Sequence, residues 1–294
     1  MDLLTQLNLA MDYIEEYICD DIALADVSKV TTYSPYHFGR LFYYIAEIPL
    51  SEYIRKRKLT LAAMVLQSSS VKVIDLAVKY GYDNADSFTR AFVRQHGITP
   101  TAGRQAGVML KIFPPLTFQI KIKGVQEMNW RIEQKEEFDI FGIERIFQND
   151  DVGKIPNFWA ECQKDGSYER LFDDAGGNRG SKGACVINAI CGHVEPNGNE
   201  FSYMLFAEKK EGCKPDGYKT AKVPKHTWAV FRVDGLKDHA DCQIPTLFQR
   251  AYSEWLPSSG YNKAKGPDME IYGDDFEEVW IPVIKKYVKK ANNC

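Results

Sequence analysis

Ser34-Pro35-Tyr36-His37-Phe38-Gly39-Arg40-Leu41-Phe42 and Asn84-Ala85-Asp86-Ser87-Phe88-Thr89-Arg90-Ala91-Phe92 repeat one pattern, [Ser/Asn]-x-x-x-Phe-x-Arg-x-Phe. Each copy opens on a short polar side chain that accepts the unpaired amide hydrogens of a starting helix. Each then sets Phe at i and i+4 on one helical face and Arg at i+2 on another. A short helix that packs by one side and offers the other to a partner has this composition.

The flanking residues repeat as well. Leu3, Leu7, Met11, Ile14 and Ile18 predict an amphipathic helix over 3–18, and Ile22, Leu24, Val27 and Val30 a short one over 22–30. Thr31-Thr32-Tyr33 is then a turn, Ser34 the N-cap and Pro35 the first helical position, where a missing N–H costs nothing. A longer helix over 51–67 carries an apolar face of Tyr53, Ile54, Leu61, Met64 and Val65, with Arg55-Lys56-Arg57-Lys58 in its first half. Residues 73–80 repeat the short helix and Gly81-Tyr82-Asp83 the turn, and Gly97 ends the second copied helix. The whole reads as a duplicated helix-turn-helix. Its spacer of roughly 16 residues, at about 1.5 Å each, is a rod of about 24 Å. That length suits two recognition helices at major-groove faces about 34 Å apart.

Charge supports a phosphate-facing surface. The 294-residue chain carries a net charge of -3, yet residues 1–28 hold acids and no Lys or Arg, while 29–104 hold eleven basic residues against five acids. Seven cysteines, odd in number and without a C-x-x-C pair, fit a reduced protein with no disulfide framework, no zinc site and no other metal. No cofactor is expected. The amino terminus lacks the basic and apolar regions of a signal peptide, and no stretch approaches about 18 apolar residues. A cytoplasmic protein without membrane contact is expected.

The first half resembles the AraC/XylS DNA-binding domain. The resemblance rests on Tyr33-Ser34 through Phe42, on Ile54-Arg55-x-Arg57-x-Leu59, and most specifically on Ile74-x-x-Ala77-x-x-Tyr80-Gly81-Tyr82, Phe88-x-Arg90-x-Phe92 and Gly97-x-x-Pro100. One departure is Thr32, where members usually carry Gly. The resemblance implies double-stranded DNA as partner, read at an asymmetric promoter site by a monomer with two helices, and RNA polymerase as a protein partner. By position in the motif, Ser34, Tyr36, His37 and Arg40 of the first helix and Ala85, Asp86, Ser87, Thr89 and Arg90 of the second face DNA. Tyr36 and Arg40 are expected to carry much of the base readout. Arg40 and Arg90 can each bond guanine bidentately or clamp a phosphate, and Arg90 has the alternative of pairing a nearby acid. Arg55 and Arg57 are expected at phosphates, against the plainer reading of a solvated basic face.

After Pro114-Pro115 the chain changes character. Leu116, Phe118, Ile120 and Ile122 alternate with polar residues in a strand-like connector that ends at Gly124. A second duplication follows. Strand 139–148, a helix opening at Ile155-Pro156-Asn157-Phe158-Trp159, and strands near 185–191 and 201–208 form one unit. Strand 228–233, a helix opening at Ile244-Pro245-Thr246-Leu247-Phe248 and running to Trp255, and strands near 269–272 and 278–284 form the other. The expected fold class is an all-helical double helix-turn-helix followed by an α+β domain of two pseudo-repeated β-α-β-β units. The boundaries are residues 1–108, a connector over 109–127, and 128–294. The α+β domain should be an antiparallel sheet with helices on one face and a free concave face.

This half resembles the GyrI-like effector-binding domain, through Phe158-Trp159, Trp228-Ala229-Val230-Phe231, Glu254-Trp255-Leu256-Pro257-Ser258-Ser259-Gly260-Tyr261, Gly266-Pro267-Asp268 and Glu278-Val279-Trp280-Ile281-Pro282-Val283. The resemblance implies a small-molecule effector and makes Glu278 the pocket acid. Alternation along 277–284 sends Glu278, Trp280 and Pro282 to one side and Val279, Ile281 and Val283 to the helices. Glu278 and Trp280 should therefore share the concave face with Phe147, Trp159, Tyr203, Trp228, Phe231 and Tyr272. A carboxylate ringed by aromatics suits a small amphipathic or cationic effector, as in multidrug binding. Two alternatives stay open. Some GyrI-like proteins are hydrolases of small reactive compounds, with Glu278 here as general base. The domain could also dock another protein. The sequence shows no nucleophile elbow, phosphate loop or metal cluster, and the leading expectation is a regulator rather than an enzyme.

Overall fold

The computed structural model describes residues 3–118, 127–177, 186–194, 200–236 and 242–286. It divides into a helical unit built from Leu3–Phe42 and Ile48–Gln119 and a second unit that takes up the chain after it. Among the described residues, no helix is long and apolar enough to cross a membrane, and no group of three or more His, Cys, Asp or Glu is placed to hold a metal.

The helical unit runs α1 (Leu3–Glu16), α2 (Leu24–Lys29), α3 (Pro35–Ala46), α4 (Leu50–Ser68), α5 (Val73–Lys79), α6 (Ala85–His96) and α7 (Pro100–Gly103). Both copied stretches are helices, and Phe38, Phe42, Phe88 and Phe92 are all fully buried. Asn84 Oδ1 accepts the Ser87 amide at 2.8 Å at the start of α6, and Ser34 Oγ accepts the His37 amide at 3.3 Å at the start of α3. Gly97 closes α6 at φ +83, a conformation that costs other residues strain.

The two turns are held differently. Gly81 adopts φ +79 and lets the Tyr82 amide return to Ala77 O at 2.9 Å. The copies align Thr31, not Thr32, with Gly81, and Glu47 is the non-glycine residue at positive φ among those described. The first turn is secured from outside instead, with the Thr32 amide and hydroxyl both donating to Gln6 Oε1 at 2.7 Å.

At 19 residues α4 is a rod of about 28 Å. Its buried stripe is Leu50, Tyr53, Arg57, Leu59, Thr60, Ala62, Ala63 and Leu66. The expected stripe differs, and Met64 is 48% exposed. Ala62 and Ala63 let Phe88, Phe92, Leu76 and Tyr80 approach the rod closely, which forms the core of the second helix-turn-helix. Of the expected connector, residues 109–118 form no strand and residues 119–126 lie outside the described residues. Part of it belongs to the helical unit. Asn8 pairs with both backbone groups of Phe118, at 2.9 and 3.0 Å, and Tyr53 Oη accepts the Leu116 amide at 3.0 Å.

The second unit is a nine-stranded antiparallel sheet of β1 (Asn129–Lys135), β2 (Phe138–Gln148), β3 (Asn188–Cys191), β4 (Glu200–Glu208), β5 (Lys219–Val223), β6 (His226–Asp234), β7 (Tyr261–Lys263), β8 (Asp268–Tyr272) and β9 (Phe276–Lys285). The order is β1-β6-β9-β8-β3-β4-β2-β5, with β7 on β9. One repeat contributes β2, β3 and β4 and the other β6, β8 and β9, and they join where Ala189 and Ile190 of β3 face Glu270 and Met269 of β8. Residue 185, expected in a strand, lies outside the described residues. The outer strands are exchanged: β1 pairs with β6 of the second repeat and β5 with β2 of the first. Neither outer strand was expected. Helices α8 (Ile155–Lys164), α9 (Ser167–Asp174) and α10 (Ile244–Arg250) lie on one sheet face, and α10 continues as a π-turn over Ala251–Trp255 and a short α11 (Leu256–Ser258). Proline stands in the first turn of α8 and of α10, as the matching Ile-Pro starts predict.

Candidate DNA-reading surface and effector pocket

Alternation divides every strand between a helix-covered face and a helix-free face. On the helix-free face, Trp228, Val230, Met269, Ile190, Met204, Phe206, Ile140 and Trp280 form one core. Glu278 lies on this face, as expected, but its carboxylate is already engaged by neighbouring side chains. It is 3% exposed and clasped by Arg131 through both carboxylate oxygens (2.8 and 3.2 Å), by Arg232 (3.0 Å) and by the Trp280 indole N–H (2.8 Å). Burial raises its pKa, and the bonds from Arg131, Trp280 and Arg232 outweigh that, leaving the carboxyl below its ordinary range. Both carboxylate oxygens of Glu278 are thus occupied, by guanidiniums that are themselves shared with a second carboxylate, Arg131 with Glu133 at 2.9 Å and Arg232 with Asp234 at 2.7 Å.

The expected pocket residues do not share one face. Trp228, Glu278 and Trp280 are on the helix-free side. Phe147, Trp159, Tyr203, Phe231 and Tyr272 are on the helix side, and within that side Phe231 packs on Trp255, at 5.1 Å between ring centres, in the other repeat. What the structure brings together is a cluster around a carboxylate that the expected set omits, Glu270. Tyr203 Oη donates to Glu270 Oε2 at 2.7 Å and Tyr272 Oη to the same oxygen at 3.0 Å. Trp159 Nε1 donates to Tyr203 Oη at 2.9 Å, and the Trp159 ring meets Tyr272 edge-on at 5.2 Å and Tyr168 at 6.2 Å. Phe147 and Phe158 stand behind Tyr203, each at 6.2 Å.

The cluster follows from the sheet register. Asp268-Met269-Glu270-Ile271-Tyr272 sends Glu270 and Tyr272 to the same side. Strand β3 lies between β8 and β4, and on that side it carries only Ala189 and Cys191. Those two residues are small enough for the Tyr203 phenol to cross above them and reach Glu270. Burial first, and the nearby Glu270 charge second, push both phenols well above their usual pKa, so they remain donors across the physiological range. The signal available in the sequence was this Glu-x-Tyr spacing.

In the helical unit the two copied helices differ in exposure. Tyr36 and Arg40 are 1% and 2% exposed, and Arg40 Nη1 donates to Tyr36 Oη at 2.8 Å. The expectation that this pair carries base readout is therefore corrected. A guanidinium turned onto a neighbouring phenol in a buried position presents no fork to a groove. Ser34 and His37 are half-buried and bonded to each other at 2.7 Å. Helix α6 is the open one. Asp86, Arg90, Val93 and Arg94 are exposed along one side, Ala85, Ser87 and Thr89 are half-buried, and no acid pairs with Arg90 or Arg94 among the described residues. Lys58 Nζ lies beside the second turn, 3.5 Å from where a Cβ on Gly81 would stand, and Arg55 is exposed on the same rod.

Arg57 is also corrected. Its side chain is 5% exposed, and it bonds Glu15 at 2.6 and 2.7 Å and the Phe113 carbonyl, pinning α1 to α4. Its charge is used inside the unit and not at a phosphate.

Fold and site together define a DNA-binding helix-turn-helix unit joined to a small-molecule effector-binding unit. Residues 27–106 match the helix-turn-helix domain family and residues 131–283 the Cass2 family of integron-associated effector binding proteins. The chain belongs to the AraC-type transcriptional regulators that carry a GyrI-like effector-binding domain. It is 37% identical to the transcriptional activator AarP of Providencia stuartii, over 31% of this chain and 68% of that one. It is 33% identical to the regulatory protein SoxS of Salmonella typhimurium strain LT2, over 31% of this chain and 85% of that one. The solved structure of SAV2435 bound to tetraphenylphosphonium is similar over 53% of this chain and 94% of that chain, at 19% identity and a TM-score of 0.42.

Proposed function

We propose that this regulator reads an asymmetric promoter site as a monomer, chiefly through α6, under the control of a small amphipathic or cationic effector held at Glu270. The observation that carries the effector reading is the Tyr203–Glu270–Tyr272 cluster beneath Trp159. A carboxylate fixed by phenol donors and walled by aromatic rings attracts a cation both by charge and by cation–π contact. Arg90 and Arg94, with Asp86, Ser87 and Thr89 beside them, supply the groove contacts, and Arg55 and Lys58 reach phosphates. Duplication within one chain supports monomeric binding. RNA polymerase is the protein partner such a regulator would contact, and the cytoplasm is where it would act.

The effector transmits a signal only insofar as it binds one state of the protein better than another. The test is titration of the full chain with a lipophilic aromatic cation such as tetraphenylphosphonium. Glu270→Gln should abolish binding while Glu278→Gln retains it, and equal binding by wild type and Glu270→Gln would end the assignment. The hydrolase reading has less support. It needs Glu278 to accept a proton, and hydrogen bonds from three side chains hold that carboxyl's pKa below its ordinary range.

A further inference from the structure

We infer a second small-molecule site on the helix-free face of the sheet, suited to a flat apolar anion such as an aromatic carboxylate. A cavity of about 400 Å³ opens there, with Phe206, Met269, Ile271 and Trp280 as its apolar wall. That volume accommodates one or two fused rings with room to spare. The Trp280 N–H is committed to Glu278, so toward the cavity the indole offers only ring surface, and Met269 adds a polarisable thioether.

The mouth sets the charge of the ligand. Lys135, Lys210 and Glu208 stand around it. Lys135 Nζ is 3.3 Å from Glu208 Oε2 and 4.0 Å from the centre of the Phe138 ring, so this ammonium and the carboxylate answer each other. Lys210 is exposed and has no ion-pair partner among the described residues. The mouth thus holds one ammonium more than it holds carboxylates, above an apolar wall. A carboxylate at Lys210 with its rings against Trp280 and Ile271 satisfies both.

The site stands apart from the Glu270 cluster but shares a strand with it. Met269 and Ile271 face this cavity while Glu270 and Tyr272, alternating with them on β8, face the helices. The inference does not rest on a cation binding at Glu270.

The test is calorimetric titration of the full chain with 2-naphthoate, and with neutral 2-naphthamide as its isostere. Saturable binding of one naphthoate is expected, weakened about fivefold by Lys210→Gln, as for a half-exposed ion pair. The amide should bind wild type no better than naphthoate binds that variant. Ile271→Trp, which fills the cavity, should remove binding with the far-ultraviolet circular dichroism unchanged, and Glu270→Gln should leave naphthoate affinity as it was. The inference is overturned by no saturable binding, by equal affinity for acid and amide, or by wild-type affinity in a folded Ile271→Trp. Loss of naphthoate binding in Glu270→Gln also overturns it, since the anion would then sit on the helix face.

Discussion

Tyr203 donates its phenolic hydrogen to Glu270 at 2.7 Å, across a strand whose intervening residues are Ala189 and Cys191. Tyr203→Phe should remove a buried donor to a carboxylate and cost about 1–3 kcal/mol of stability. Denaturant unfolding of the two proteins measures it. A loss below a few tenths of a kcal/mol would mean that the bond does not order the cluster. Burial raises Tyr203 and Tyr272 well above the usual phenol pKa, and raises Tyr33, Tyr53, Tyr80, Tyr82 and Tyr218 as well, so a spectrophotometric titration should leave several tyrosines protonated past the ordinary range near 10, one fewer in Tyr203→Phe.

Glu15→Ala should destabilise the helical unit by about 2–4 kcal/mol, since it leaves the Arg57 guanidinium buried without its carboxylate. The double change Glu15→Leu with Arg57→Met should recover much of this loss. If Glu15→Ala unfolds at the wild-type midpoint, the pair is a surface decoration and Arg57 returns as a candidate phosphate contact.

Arg55→Ala should weaken binding to all DNA sequences alike and reduce the salt slope by about 1. Arg90→Ala should cost about 1–3 kcal/mol on the cognate site and relax its sequence preference. Arg40→Ala should instead lower stability, because its guanidinium is packed against Tyr36. Fluorescence anisotropy on cognate and scrambled duplexes at several salt concentrations separates these outcomes. Equal losses on both duplexes for Arg90→Ala would make Arg90 a phosphate contact.

Stability should decline on mild acidification. His96, His193 and His226 all have pKa values lowered, in each case first by burial. Lys111 and Lys263 add to the effect at His96 and His226, while the Leu59 carbonyl opposes it at His96 and Glu144 opposes it at His193. With the folded value below the unfolded one, the unfolded chain takes up protons first, so stability is flat above about pH 6.5 and falls as pH drops through it. Glu15 and Glu278 act lower, below the ordinary carboxylate value of 4.5. The thermal midpoint should drop between about pH 7.5 and pH 5.5, and His193→Gln should flatten the drop. An unchanged midpoint over that interval would contradict it.

Much of this fold was legible in the chain because it is written twice. Phe38/Phe42 and Phe88/Phe92 fixed two helices and their buried sides, and the two Ile-Pro starts marked α8 and α10. Strands β1 and β5 escaped because Asn129–Lys135 and Lys219–Val223 are polar outer strands, whose pairing across the repeats leaves no local pattern. Alternation gave the side of Glu278 correctly, yet only the register shows that Arg232 sits opposite it and that Arg131, one strand further and opposite Val230, reaches it diagonally. Exposure was the least legible property. Tyr36 and Arg40 hold motif positions that face outward on an isolated helix, and nothing in the motif shows that one bonds the other.

The most direct measurement is the affinity of a lipophilic aromatic cation for wild type, Glu270→Gln and Glu278→Gln, each shown to be folded by circular dichroism. The expected result is loss of binding in Glu270→Gln with wild-type affinity in Glu278→Gln. The reverse pattern would place the pocket acid on the helix-free face and contradict the site built here around Glu270, Tyr203 and Tyr272.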